Sequence, residues 1–198
     1  MSSWLLLCAL LVVALGVLPP FWFARRRPGY SHVRNTISEL GETGAPGAGR
    51  VAWLGFAPAG LAVLAFSALL HAQLTSHGGE GTSAVLLSLL GVSYVGAALF
   101  PCDAGAPFWG TWKNQMHNLV AGLGYFGAGA GLLEMKRAFE DLPALSALGP
   151  VSGFLGPVIL LGMFALSFES PVRGLIQRTV EGVIFAWMVV VGAWLMAA

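Results

Sequence analysis

Apolar residues in this chain fall into six runs, about 4–23, 51–72, 83–101, 116–133, 149–168 and 174–197, separated by short polar or glycine- and proline-marked connections. Each is close to the roughly 20 residues a helix needs to cross a hydrocarbon core about 30 Å thick. The pattern predicts an all-α membrane protein, a six-transmembrane-helix bundle forming one domain over 1–198. Within it, Pro19-Pro20 is expected to end or kink the first helix and Pro58 to kink or break the second. No charged residue precedes the first run, and prolines, aromatics and three arginines follow it, so it reads as a retained helix and not a cleaved leader.

One interval breaks the apolar texture. Residues 28–46, PGYSHVRNTISELGETGAP, hold a histidine, several hydroxyls, an asparagine and two glutamates behind the triplet Arg25, Arg26, Arg27. Ser31 to Leu40 can form a short interfacial helix stopped by Gly41. At helical spacing Val33, Ile37 and Leu40 share one face, and His32, Thr36 and Glu39 an adjacent one. Such a helix is expected to turn its apolar side to the bundle and form the wall or lid of a polar site.

Composition settles the broad class. The chain is 57% hydrophobic and 10% charged, with a mean hydropathy of +0.77, far from the roughly 25% charged content of a soluble domain. A net charge of +1 gives no reason to expect nucleic acid as a partner. The placement of basic residues says more. Arg25–Arg27, Arg34, Arg50, Lys113 and Arg173, with Arg178 just inside the sixth run, follow odd-numbered helices, whereas Lys136 and Arg137 lie at the other end. The positive-inside bias then predicts a multi-pass protein of the cell inner membrane with both termini on the non-cytoplasmic side. Cys8 and Cys102 fall near opposite faces and are expected to be free thiols. Most of the tryptophans sit near run ends, as interface anchors do. His71 and His77 are expected as a surface pair at the outer turn, and TSHGGEGT as a turn only.

The candidate chemistry collects at the basic end. His32, Ser38 and Glu39 of the 28–46 segment, Asp103 after the third run, His117 at the start of the fourth, and Gln177, Arg178 and Glu181 of the sixth all point to one membrane face. A charge within a span costs about 3 kcal/mol on insertion scales, so Glu181 is expected to turn inward and pair with Arg178 three residues before it. Whether that pair is functional or only holds the last helix is open. On the fourth run, Gly127 and Gly131 make a G-x-x-x-G strip that suits either packing within the chain or a homo-oligomer.

Taken in order, YSHVRNTISELGETGAP, LFPCDAG, MHNLVAG and GLIQRTVEGVIFAW resemble the domain of unknown function 998 family of membrane proteins. The resemblance covers nearly the whole chain and implies a six-helix integral membrane protein without an established activity. The family's recurrent polar positions fall on His32, Ser38, Glu39, Asp103, His117 and Arg178.

Three functional readings follow. The first is a site for a lipid headgroup or other small amphipathic ligand, with membrane lipids as the partner. The second is a metal-dependent intramembrane hydrolase with His32, Asp103, His117 and Glu181 or Glu39 as ligands and Ser38 nearby. This faintly resembles the alkaline ceramidase and progestin-receptor-like group, but it lacks an H-x-x-x-H pair and has six spans where that group has seven. The third is a structural or partner-binding bundle. No cofactor is specified by the sequence.

Overall fold

The computed structural model describes residues 2–140 and 142–197. Its long helices are α1 (Ser2–Ala24), α2 (Ala48–Ser76), α3 (Thr82–Leu99), α4 (Trp112–Glu140), α5 (Gly149–Leu166) and α6 (Arg173–Ala197). There is no strand among the described residues. All but α4 are long and apolar enough to cross a membrane. Helix α4 differs because Asn114, His117 and Asn118 open it and glycines replace larger apolar residues along 122–131. At 29 residues, about 44 Å long, it nevertheless lies packed between α3 and α5.

Consecutive helices pack against each other, and α1 closes the ring on α6. Helix α6 faces inward to every other span. Leu6 of α1 lies against Gly192, and the Trp187 ring stacks on Phe139 of α4 and meets Phe66 of α2 edge-on. Trp187 Nε1 donates to Ser152 Oγ of α5 at 2.9 Å, and Tyr94 of α3 bonds to Glu181 at 2.7 Å. Trp187 is therefore a core residue, whereas Trp4, Trp22, Trp53, Trp109, Trp112 and Trp194 are exposed. The glycine strip of α4 is taken up within the chain. A Cβ on Gly127 would lie 2.4 Å from the Leu86 carbonyl of α3, and one on Gly131 2.8 Å from that of Ser83.

The prolines do not end either helix. Helix α1 runs through Pro19 and Pro20 to Ala24. Helix α2 is continuous through Pro58, and its ladder opens into a π turn over Ala52–Phe56. Proline has no N–H for the carbonyl four residues back and crowds it. A wider turn just before Pro58 relieves that conflict without a break. The two histidines of the far turn bond separately to backbone carbonyls, His71 to Gly81 at 3.1 Å and His77 to Gln73 at 2.8 Å.

Three connections meet at the opposite end and position the site. Thr43 N donates to the Cys102 carbonyl at 2.8 Å, Leu175 N to the Val33 carbonyl at 2.9 Å, and Arg173 Nη1 to the Ala106 carbonyl at 2.8 Å. The segment 28–46, the α3–α4 connection and the start of α6 thus form one layer.

Candidate functional site

The 28–46 segment is built from turns and a single 3-10 turn at Ser38–Gly41. The short helix is present but confined to those four residues. The reason is a local competitor, Thr36-x-x-Glu39. Thr36 N donates to Glu39 Oε1 at 2.7 Å while Glu39 N donates to Thr36 Oγ1 at 3.3 Å, the reciprocal pairing of a capping box. That box starts a helix at Thr36, so residues before it cannot continue one. The expected apolar face breaks accordingly: Ile37 and Leu40 are buried, and Val33 is exposed. Glu39 also accepts from Asn35 Nδ2 at 2.6 Å, which makes it a structural brace of the segment.

Arg178 is the second brace, and here the expected pairing with Glu181 is corrected. Its Nη1 donates to the carbonyls of His32 at 2.8 Å and of Asn35 and Gly174 at 2.9 Å, and its Nη2 donates to the Tyr30 hydroxyl. A planar guanidinium with five donors can hold several turn carbonyls at once, and the loop supplies them where Glu181, one turn deeper, does not. Gly174 allows the approach, since a Cβ there would lie 2.2 Å from the Asn35 carbonyl. Among the described residues the ion pair is instead Arg27 with Glu42, whose other oxygen accepts from Gly105 N at 2.8 Å.

Glu181 is buried in the bundle and bonded to neutral groups. Tyr94 and Tyr125 each donate to it at 2.7 Å, and Gln177 Nε2 at 3.0 Å. Gln177 Oε1 accepts from Ile37 N at 2.7 Å, linking this network to the 28–46 segment. Three donors to one buried carboxyl group replace the hydration it loses on burial.

Just above this network, His117 and Ser38 form a second polar unit. His117 Nδ1 lies 2.9 Å from the Phe100 carbonyl, and Nε2 lies 3.0 Å from Ser38 Oγ. A carbonyl can only accept, so Nδ1 carries the proton. In the neutral ring Nε2 is then the acceptor and the Ser38 hydroxyl the donor.

Asp103 and His32 serve elsewhere. The Asp103 carboxylate accepts from Thr111 N at 2.7 Å and Thr111 Oγ1 at 2.8 Å, and its own N–H donates to Asn114 Oδ1 at 3.0 Å, which fixes the entry to α4. The His32 ring stacks on Phe21 with centroids 4.5 Å apart. Burial, and then the charges of Arg178 and Arg25, lower its pKa, so it is neutral at pH 7. The expected set His32, Asp103 and His117 is not brought together. Among the described residues no three His, Cys, Asp or Glu side chains approach closely enough to share an ion.

Ser38, His117, Gln177, Tyr125 and Arg173 line a cavity of about 120 Å³ between the segment, α4, α5 and the start of α6. Its remaining wall is largely apolar, with Phe108, Ala121, Met163 and Leu166. Arg173 reaches it from a braced position, with Nε on the Leu166 carbonyl at 3.2 Å and Nη1 on that of Ala106. Ala106 holds φ at +46°, a left-handed conformation that costs an alanine about 1–2 kcal/mol and that this contact helps retain. A smaller pocket of about 30 Å³ adjoins the first, sharing Ser38, His117, Ala121, Tyr125 and Gln177 and reaching Tyr94 and Glu181.

Sequence reasoning missed Tyr94, Tyr125, Asn114 and Arg173. A signal existed for the tyrosines: a hydroxyl inside an apolar run needs a partner. The chain has three tyrosines, and all three bond within this end of the bundle.

Cys102 gives a direct check on the layer. Both cysteines are free thiols. Cys102 is fully buried with Sγ 3.5 Å from the Ser38 carbonyl. Burial, then the carboxylates of Glu42 and Glu39, push its thiol up to about 12. Only the thiolate reacts, and at pH 8 roughly one molecule in 10,000 carries it. Maleimide at pH 8 is expected to leave Cys102 unmodified in the folded protein and to label it after denaturation, read by peptide mass. Rapid labelling in the folded state would mean that the layer is open.

The fold defines the class, an all-α integral membrane protein with a polar site at one end of its bundle. The family is specific: residues 6–194 match the family described as protein of unknown function (DUF998), and the chain belongs to it. No curated protein and no solved structure matches the chain.

Proposed function

We propose that this protein binds one amphipathic molecule, a membrane lipid, with its headgroup beside Arg173, Ser38 and His117 and its chain toward Met163 and Leu166. The observation that carries this reading is the mixed cavity wall, in which Arg173, Ser38 and His117 stand among apolar Phe108, Ala121, Met163 and Leu166. Ligand sites have this composition, an apolar lining with a few placed polar groups. The guanidinium suits an anionic or carbonyl-rich headgroup. The basic residues gathered at the same end support a cytoplasmic position for the site, with both termini on the other side.

Native mass spectrometry of the protein released from its own membranes tests the reading. The wild type is expected to carry one lipid. Ala121→Trp and Met163→Trp, which fill the cavity from α4 and from α5, are expected to lose at least nine-tenths of it. Equal lipid on all three proteins would defeat the proposal.

A further inference from the structure

We propose that Ser38 and His117 are a nucleophile and general base, and that the protein cleaves a carboxylic ester of the lipid class it binds. The inference rests on the binding reading above and adds a reaction to it.

Three features set this pair apart from an ordinary buried hydrogen bond. The first is polarity. With Nδ1–H held by the Phe100 carbonyl at 2.9 Å, Nε2 is left as the base, and the Ser38 hydroxyl is its donor at 3.0 Å. A base within hydrogen-bond reach of the nucleophile, itself oriented by a third group, is the arrangement that activates serine. Here a backbone carbonyl orients the ring, where serine hydrolases commonly use a carboxylate.

The second is rigidity. Ser38 opens the 3-10 turn that the Thr36–Glu39 box caps, and its neighbour Ile37 is tied to Gln177 at 2.7 Å. His117 is 3% exposed on the first turns of α4. Both groups are held by secondary structure and not by a free loop, as precise chemistry requires.

The third is placement. Both side chains line the amphipathic cavity and the smaller pocket behind it. The guanidinium of Arg173, with two of its five donors spent on the Leu166 and Ala106 carbonyls, lines the same cavity, where an oxyanion would develop. A pocket of about 30 Å³ edged by polar groups is roomy enough for a water molecule.

The reaction balances with water as the only co-reactant. Ser38 Oγ bonds to the ester carbonyl carbon as its proton passes to His117 Nε2. The bond from that carbon to the alcohol oxygen then breaks, and the alcohol leaves with the proton from Nε2. Water attacks the acyl-serine, giving its proton to Nε2. The carbon–Oγ bond breaks, Oγ recovers the proton, and a carboxylic acid is released.

The test uses the full-length protein in detergent with an alkyl fluorophosphonate, which phosphonylates activated serines, and p-nitrophenyl laurate as a chromogenic ester. Labelling is expected on the Ser38 peptide. His117→Gln is expected to slow it at least about 100-fold, the low end of what a general base contributes. Ser38→Ala should abolish both labelling and ester cleavage. Ser38→Cys, which retains a nucleophile beside the base, should react with iodoacetamide faster than the same variant carrying His117→Gln. That comparison keeps the test decisive should one single variant be poorly folded. No labelling of a wild type that carries its lipid would overturn the catalytic proposal and leave binding intact. Labelling of Ser38 that His117→Gln does not slow would overturn it as well.

Discussion

Glu181→Ala is expected to lower the stability of the folded bundle by about 3 kcal/mol or more. The change leaves the hydroxyls of Tyr94 and Tyr125 without their shared acceptor, while the Gln177 amide keeps the Tyr125 hydroxyl at 3.1 Å as its partner. Each buried donor left unpaired costs about 1–3 kcal/mol. For a chain near 200 residues that corresponds to a fall in melting temperature on the order of 10 °C, measurable by thermal unfolding in detergent. Glu181→Gln should cost less, because its amide keeps an acceptor and the hydroxyls can also accept from its NH2. Tyr94→Phe and Tyr125→Phe should each cost about 1 kcal/mol, since the carboxylate keeps its other donors. Combined with Glu181→Ala, either tyrosine change should add almost nothing, because groups sharing one network are not additive. An unchanged melting temperature for Glu181→Ala would mean that this network does not hold α3, α4 and α6 together.

Arg178→Met is the second large effect. It removes the donor of three backbone carbonyls and the Tyr30 hydroxyl in one step. A single hydrogen bond to a charged group is worth about 1.5–3 kcal/mol, and 1.4 kcal/mol is tenfold in an equilibrium. Hydrogen exchange at the amides of Asn35 and Leu175, which bond to the Ser31 and Val33 carbonyls, is therefore expected to rise more than tenfold. Lysine should not restore protection, because a compact ammonium cannot reach the same acceptors together. Exchange as slow as in the wild type would show that the segment holds itself in place without α6.

Much of the architecture was legible because a membrane imposes a length on apolar runs. The six runs became six helices, and the 28–46 segment does pack over a polar site. The segment's internal structure was less legible. Helical periodicity placed Val33 with Ile37 and Leu40, but Thr36 and Glu39 form a cap, and a cap marks where a helix begins. Among the site residues, His117 and Ser38 meet and Gln177 joins Glu181, as their shared end of the bundle suggested. His32 and Asp103 share that end but not the cavity, since one stacks on Phe21 and the other ties Thr111. Proximity of i and i+3 residues pointed to an Arg178–Glu181 pair. A guanidinium at a helix start instead finds loop carbonyls that no sequence spacing reveals. Tyr94 and Tyr125 lie 31 residues apart on different helices, so their common acceptor needed the fold.

A high-resolution reconstruction of the protein in discs made from its native membranes would show directly whether the cavity holds a lipid. Elongated density is expected in the cavity, its polar end within hydrogen-bonding distance of Arg173 and the Ser38–His117 pair, its tail along Met163 and Leu166. A cavity closed by collapse of α5 onto α4, with Ser38 turned away from His117, would contradict that expectation.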